Sequence, residues 1–150
     1  MWMDVKYEPG TVKVVAFDDN GQPVSEKEIR TAGKPHHIQL QADRTNLDAN
    51  GEDISFVTAT IVDEKGIPCP NANNQLNFNV NGEGSYRAAC NGDATSLEIF
   101  HQPTMKVFNG KLVVLVQSGH SAGNIILTVA GDGLKEAKIS FEVHSQQKFK

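Results

Sequence analysis

Residues able to do chemistry are present in this chain, but none stands in a spacing that a known chemistry uses. Asn46, Asp48 and Asn50 followed by Gly51 set oxygen ligands at alternate positions before a glycine, which is how a calcium loop opens. Such a loop needs a bidentate glutamate at its twelfth position, and counted from Asn46 that position is Val57. Strand formers rather than helix formers flank it, so an ordinary polar turn is the favoured reading. The five histidines, His36, His37, His101, His120 and His144, include no pair at the i, i+4 helical or i, i+2 strand separation that brings two imidazoles to one metal. They read as solvent-exposed. Ser118, Ser121, His120 and several aspartates are the ingredients of a hydrolytic triad, without the Gly-x-Ser-x-Gly elbow that would present a serine. Cleavage of a sugar bond needs two carboxylates held on opposite sides of it, and the 18 acidic residues fall mostly in turns that fix no such pair. Trp2, Tyr7, Tyr86 and Phe100 could stack on a sugar, but aromatics are only 7% of the chain, and packing is favoured for each. No catalytic, cofactor-binding or metal-ligating residue is therefore assigned.

The elements that would position any site are strands. Ile54 to Val62 is rich in β-branched residues and lies between Asn50-Gly51 and Glu64-Lys65-Gly66, so it reads as one long strand between two tight turns. Val57, Ala59 and Ile61 share one face, with Phe56, Thr58, Thr60 and Val62 on the other, as suits an inner strand of a sandwich. Ile38, Leu40 and Ala42 form one side of a preceding strand. After the long strand, Leu76, Phe78 and Val80 point inward, SYRAAC is a short strand, NGDATS opens a long loop, and KLVVLVQ, NIILTVAG and KEAKISFEV complete about seven strands. Five Asn-Gly dipeptides, at Asn20, Asn50, Asn81, Asn91 and Asn109, supply much of the turn chemistry. No segment keeps a 3.6-residue period. The fold class is all-β, an immunoglobulin-like sandwich. Ahead of it, residues 5–33 read as a hairpin turning at Asn20-Gly21, with Val12, Val14 and Ala16 on an apolar face. Such a hairpin is not stable alone, so it is expected to fold back on the sandwich or to pair with a second copy.

Composition narrows the function classes. The chain has 150 residues, 39% of them hydrophobic, enough for one core plus an appendage. A net charge of −4 gives no basic face for nucleic acid. No apolar run approaches the roughly 18 residues needed for membrane insertion. The first ten residues, MWMDVKYEPG, show neither the basic start nor the apolar core of a signal peptide. Cys69 and Cys90 could form one disulfide but lack a Cys-x-x-Cys spacing, and free, half-buried thiols are the favoured reading.

The order ADR, DANGEDIS, a Val/Thr strand and VDEKGIPCP resembles two bacterial patterns. One is the C-terminal immunoglobulin-like domain of family 2 glycoside hydrolases of the β-galactosidase type. The other is the immunoglobulin-like repeat of invasin and intimin adhesins. YEPGTVKVVAFDDNGQPVSEKEIRTAGKP, CNGDATSLEIF and the Phe108-Asn109-Gly110-Lys111 segment are similar to the first. That resemblance implies that residues 1–33 are the closing hairpin of a preceding domain, that 34–144 form the sandwich, and that 145–150 are a tail. It also implies a parent glycosidase with its catalytic residues on a (β/α)8 barrel elsewhere, since a barrel of about 250 residues does not fit here. Other domains of that parent are the expected partners, with a homodimer through the hairpin as a further expectation. Periplasmic or secreted placement follows from the family. An adhesin repeat and a carbohydrate-binding module remain the alternatives.

Overall fold

The computed structural model describes residues 6–145; Trp2, Val5 and the tail beyond Ser145 lie outside them. Eleven strands and no helix make up the described chain, so no helix is present that could cross a membrane. β1 (Thr11–Phe17) and β2 (Pro23–Arg30) pair only with each other. The rest form two facing sheets. One has the order β4 (Asn46–Asp48), β11 (Ala137–His144), β10 (Gly123–Gly131), β6 (Gln75–Gly82), β8 (Thr104–Lys106). The other has the order β3 (His37–Ala42), β5 (Ile54–Val62), β9 (Lys111–Ser118), β7 (Gly84–Cys90). This is the expected all-β sandwich. Two strands, β4 and β8, supplement the seven read from sequence. Each is three residues long, too short to show an alternation, and each sits at a sheet edge, where short strands leave little unpaired backbone.

β5 occupies the residues its turns delimit, and its alternation holds except at the last residue: Val62, read as outward, is fully buried where it bridges Pro68. Val57, Ala59 and Ile61 are fully buried, while Phe56 on the opposite face is largely exposed. Leu76 and Phe78 from β6, Val114 and Val116 from β9, Ile125, Leu127 and Val129 from β10, and Phe141 and Val143 from β11 fill the space between the sheets. Period-two burial from both inner faces is how a sandwich closes one core. The glycines of all five Asn-Gly pairs adopt positive φ. At Gly82 (φ 99°) a β-carbon would lie 2.0 Å from the Asn124 carbonyl oxygen, so only glycine allows β6 to turn into β7 beside β10.

The hairpin behaves differently. In the β1–β2 register Val12 lies opposite Ile29, Val14 opposite Lys27 and Ala16 opposite Ser25. One face is therefore mostly apolar and the other carries Lys13, Glu26, Glu28 and Arg30, with a Lys13–Glu26 ion pair at 2.8 Å. The apolar face is not folded back on the sandwich as expected: Val12, Val14 and Ile29 are all exposed.

Candidate functional site

The residues first suspected of chemistry are occupied with structure. Asn50 Oδ1 accepts from the amides of Glu52 (2.8 Å) and Asp53 (2.7 Å), and Asp53 Oδ2 accepts from the Asp48 amide at 2.8 Å. Asp53 also pairs with Arg44. Asn50 and Asp53 thus cap the turn, while Asn46 Oδ1 lies 3.2 Å from His144 Nε2. Among the described residues no three histidine, cysteine, aspartate or glutamate side chains gather as a metal site would require. His101, His120 and His144 are exposed, as expected, but His36 and His37 are half-buried. Their rings meet edge to face with Nδ1 atoms 3.1 Å apart, because residue 36 is drawn in by its amide donating to the Val62 carbonyl at 2.9 Å. The triad does not assemble: Ser118 is buried with its hydroxyl unpartnered among the described residues, while Ser121 and His120 are exposed.

The aromatics divide. Tyr86 packs as expected, stacked on Phe78 with centroids 5.7 Å apart. Tyr7 and Phe100 do not: both are largely exposed, Tyr7 ahead of an uncovered hairpin and Phe100 on a loop tied to the sheet by its own backbone carbonyl. Both thiols are free. Cys69 is buried and its thiol is pushed up by that burial and by the charge of Asp63, whereas Cys90 is exposed.

What the structure builds with most care is the junction between hairpin and sandwich. Asp63, only 5% exposed, closes the turn after β5 by accepting from the Lys65 (2.9 Å) and Ile67 (2.8 Å) amides through Oδ1. Its other oxygen accepts from the Gly33 amide at 2.8 Å, thirty residues away. The amides of Gly33 and Ile67 hold this carboxyl below the usual carboxylate range, against the opposing effect of burial. Asp63 thus ties the linker to the sandwich, and the Cys69 thiol lies 3.7 Å from the Gly33 carbonyl. Beside it an open groove of about 1560 Å³ runs between the two parts, lined by Tyr7, Pro9, Ile29, Ala32, Pro68 and Cys69 among others. Sequence reasoning found the turn but missed this long-range tether; Asp at the head of a Gly-containing turn is a local signal only.

The described residues thus form a sandwich with a hairpin stapled to it through Asp63. Residues 38–140 match the family described as glycoside hydrolase family 2 C-terminal domain 5, and the chain belongs to that family. The β-galactosidase BoGH2A of Bacteroides ovatus is 47% identical over 140 residues, 92% of this chain but 16% of that protein. A crystal structure of a glycosyl hydrolase family 2 member from Bacteroides cellulosilyticus superposes with a TM-score of 0.87 at 33% identity, over 93% of this chain and 18% of that one. The chain thus spans less than a fifth of these relatives. With so little of it left unaligned, the likeness takes in most of the hairpin. A C-terminal fragment of intimin shares the fold alone, at a TM-score of 0.50 and 16% identity over 70% of this chain and 32% of that fragment.

Proposed function

We propose that this chain is a non-catalytic accessory domain at the C-terminal end of a multidomain family 2 glycoside hydrolase similar to β-galactosidases, and that it serves to pack and stabilise that enzyme. The supporting observation is the hairpin. Its residues Val12, Val14 and Ile29 form an apolar face in solvent, which an isolated soluble unit rarely tolerates. In this reading residues 1–33 complete a preceding domain, residues 34–144 are the accessory sandwich, and Asp63 sets the geometry between them. The partners are the other domains of the parent, whose barrel would carry the catalytic carboxylates. Export to the periplasm or beyond belongs to the same proposal.

Where the preceding domain is missing, the bare hairpin is expected to pair with a second copy. Light scattering on the 150-residue chain and on a version beginning at Gly33 tests this. The expected result is a folded monomer for the shorter chain and a dimer for the longer, abolished by Val14→Asp. An unfolded shorter chain would place the hairpin within the sandwich's own folding unit and refute the boundary at residue 33.

A further inference from the structure

We infer that the loop of residues 91–103, between β7 and β8, is a preformed docking surface for the part of the parent polypeptide that precedes the hairpin. This rests on the accessory reading above. Loops usually present polar residues; this one presents Leu97, Ile99 and Phe100, and Leu97 is 97% exposed. Three large apolar side chains exposed within four consecutive residues mark an interaction site rather than a random scatter.

The loop is held rigid while exposing them. The Ala89 amide donates to the Phe100 carbonyl and the Phe78 amide to the Pro103 carbonyl, both at 2.9 Å. The Tyr86 hydroxyl lies 2.8 Å from the Phe100 carbonyl and 2.7 Å from that of Gln102. Between Leu97 and Ile99, Glu98 turns inward and its carboxylate accepts from the Lys106 amide at 3.1 Å. Docking such a loop carries little ordering cost, which is what preorganisation contributes to binding.

The chemistry and position of the patch select its occupant. Residues 91–103 include Asp93 and Glu98 but no lysine or arginine, which disfavours an anionic membrane or nucleic acid. Two of the three exposed side chains are aliphatic and offer a sugar ring no aromatic face. An apolar protein surface is the remaining complement. Register places the loop at the end where the hairpin joins: Val62 meets His36, Thr60 lies opposite Lys111, and Val113 lies opposite Cys90, from which the loop departs. More than four-fifths of the length of the relatives lies outside this chain, and the hairpin connects to it at this same end.

Amide hydrogen exchange on the 150-residue chain and on its full-length parent tests the assignment, with the L97D/I99D double variant in both. The expected result is exchange at residues 94–101 slowed by about tenfold or more in the parent. The variant should remove that slowing and lower the parent's Tm, while leaving the Tm of the 150-residue chain unchanged. Equal exchange in both contexts would overturn the inference, as would an equal loss of Tm in both, which would make the loop part of the sandwich core. Light scattering adds one more overturning outcome: a dimer of the 150-residue chain broken by L97D/I99D, with no protection in the monomeric parent, would assign the patch to a second copy. A parent lacking any upstream domain would remove the accessory reading itself, whereas an upstream domain that leaves the loop unprotected would remove only this inference.

Discussion

Tyr86→Phe removes one oxygen and leaves the ring on Phe78, so it isolates the tether that holds residues 100–102 against β7. The hydroxyl has a single proton to share between two carbonyls, at 2.8 and 2.7 Å, so one net hydrogen bond is lost, about 0.5–1.5 kcal/mol. In a domain of this size 1 kcal/mol corresponds to roughly 2–4 °C in Tm. The hydroxyl should also give stability an alkaline limb. Burial pushes its pKa up to about 12 from a usual 10, so the fold favours the protonated form. Stability is then intact below about pH 10 and falls between about 10 and 12, where the unfolded chain releases the proton and the folded chain does not. The full shift would amount to about 2.7 kcal/mol at 1.36 per unit; the ring is only half-buried, and solvent screening reduces this to about 1 kcal/mol. Urea melts of the 150-residue chain and of its Tyr86→Phe variant at pH 7, 9.5 and 11.5 measure both effects. The variant should start about 1 kcal/mol lower and lose less between pH 9.5 and 11.5. Equal midpoints at pH 7, or the same alkaline loss in both proteins, would refute this account of the loop.

Phe141→Ala empties a fully buried position and should cost about 3–5 kcal/mol in urea melts; Phe78→Ala belongs to the same class, whereas Lys138→Ala, which loses only a surface ion pair with Glu136, should be nearly silent. Equal effects from all three would mean the strand faces are wrongly assigned. Asp63 has its folded pKa below the unfolded one, so its contribution is present above about pH 4 and is lost as pH falls through the lower, folded value. Asp63→Asn should flatten that acid limb in a pH series of melts and speed amide exchange at Gly33; an unchanged acid limb would remove Asp63 from the junction. A thiol reagent should label Cys90 at once and Cys69 only on unfolding, and two fast thiols would contradict the burial of Cys69.

The sandwich was legible because its strands are long enough for period-two burial to show. β5 ends where Asn50-Gly51 and Glu64-Lys65-Gly66 say it should, and Leu76, Phe78, Phe141 and Val143 point where alternation puts them. β4 and β8 were not legible, since three residues carry no period. The apolar face of the hairpin was readable from Val12, Val14 and Ala16, but its standing clear of the sandwich was not, because alternation identifies a face without saying what covers it. Long-range ties were equally hidden. Nothing in the residues around Asp63 announces Gly33, and Leu97-Glu98-Ile99 alternates like a strand although its backbone is spent on holding a loop. A joining surface has no motif comparable to a metal or triad site, so its residues emerge only when exposure is known.

The measurement that bears most directly on the accessory reading is hydrolysis of a chromogenic galactoside by the purified 150-residue chain and, side by side, by the full-length parent. The account predicts no turnover above buffer for the chain, since on the accessory reading the two carboxylates that cleavage needs lie on the parent's barrel, and measurable turnover for the parent. Turnover by the 150-residue chain that survives repurification and disappears on replacing one of its own acidic residues would contradict it.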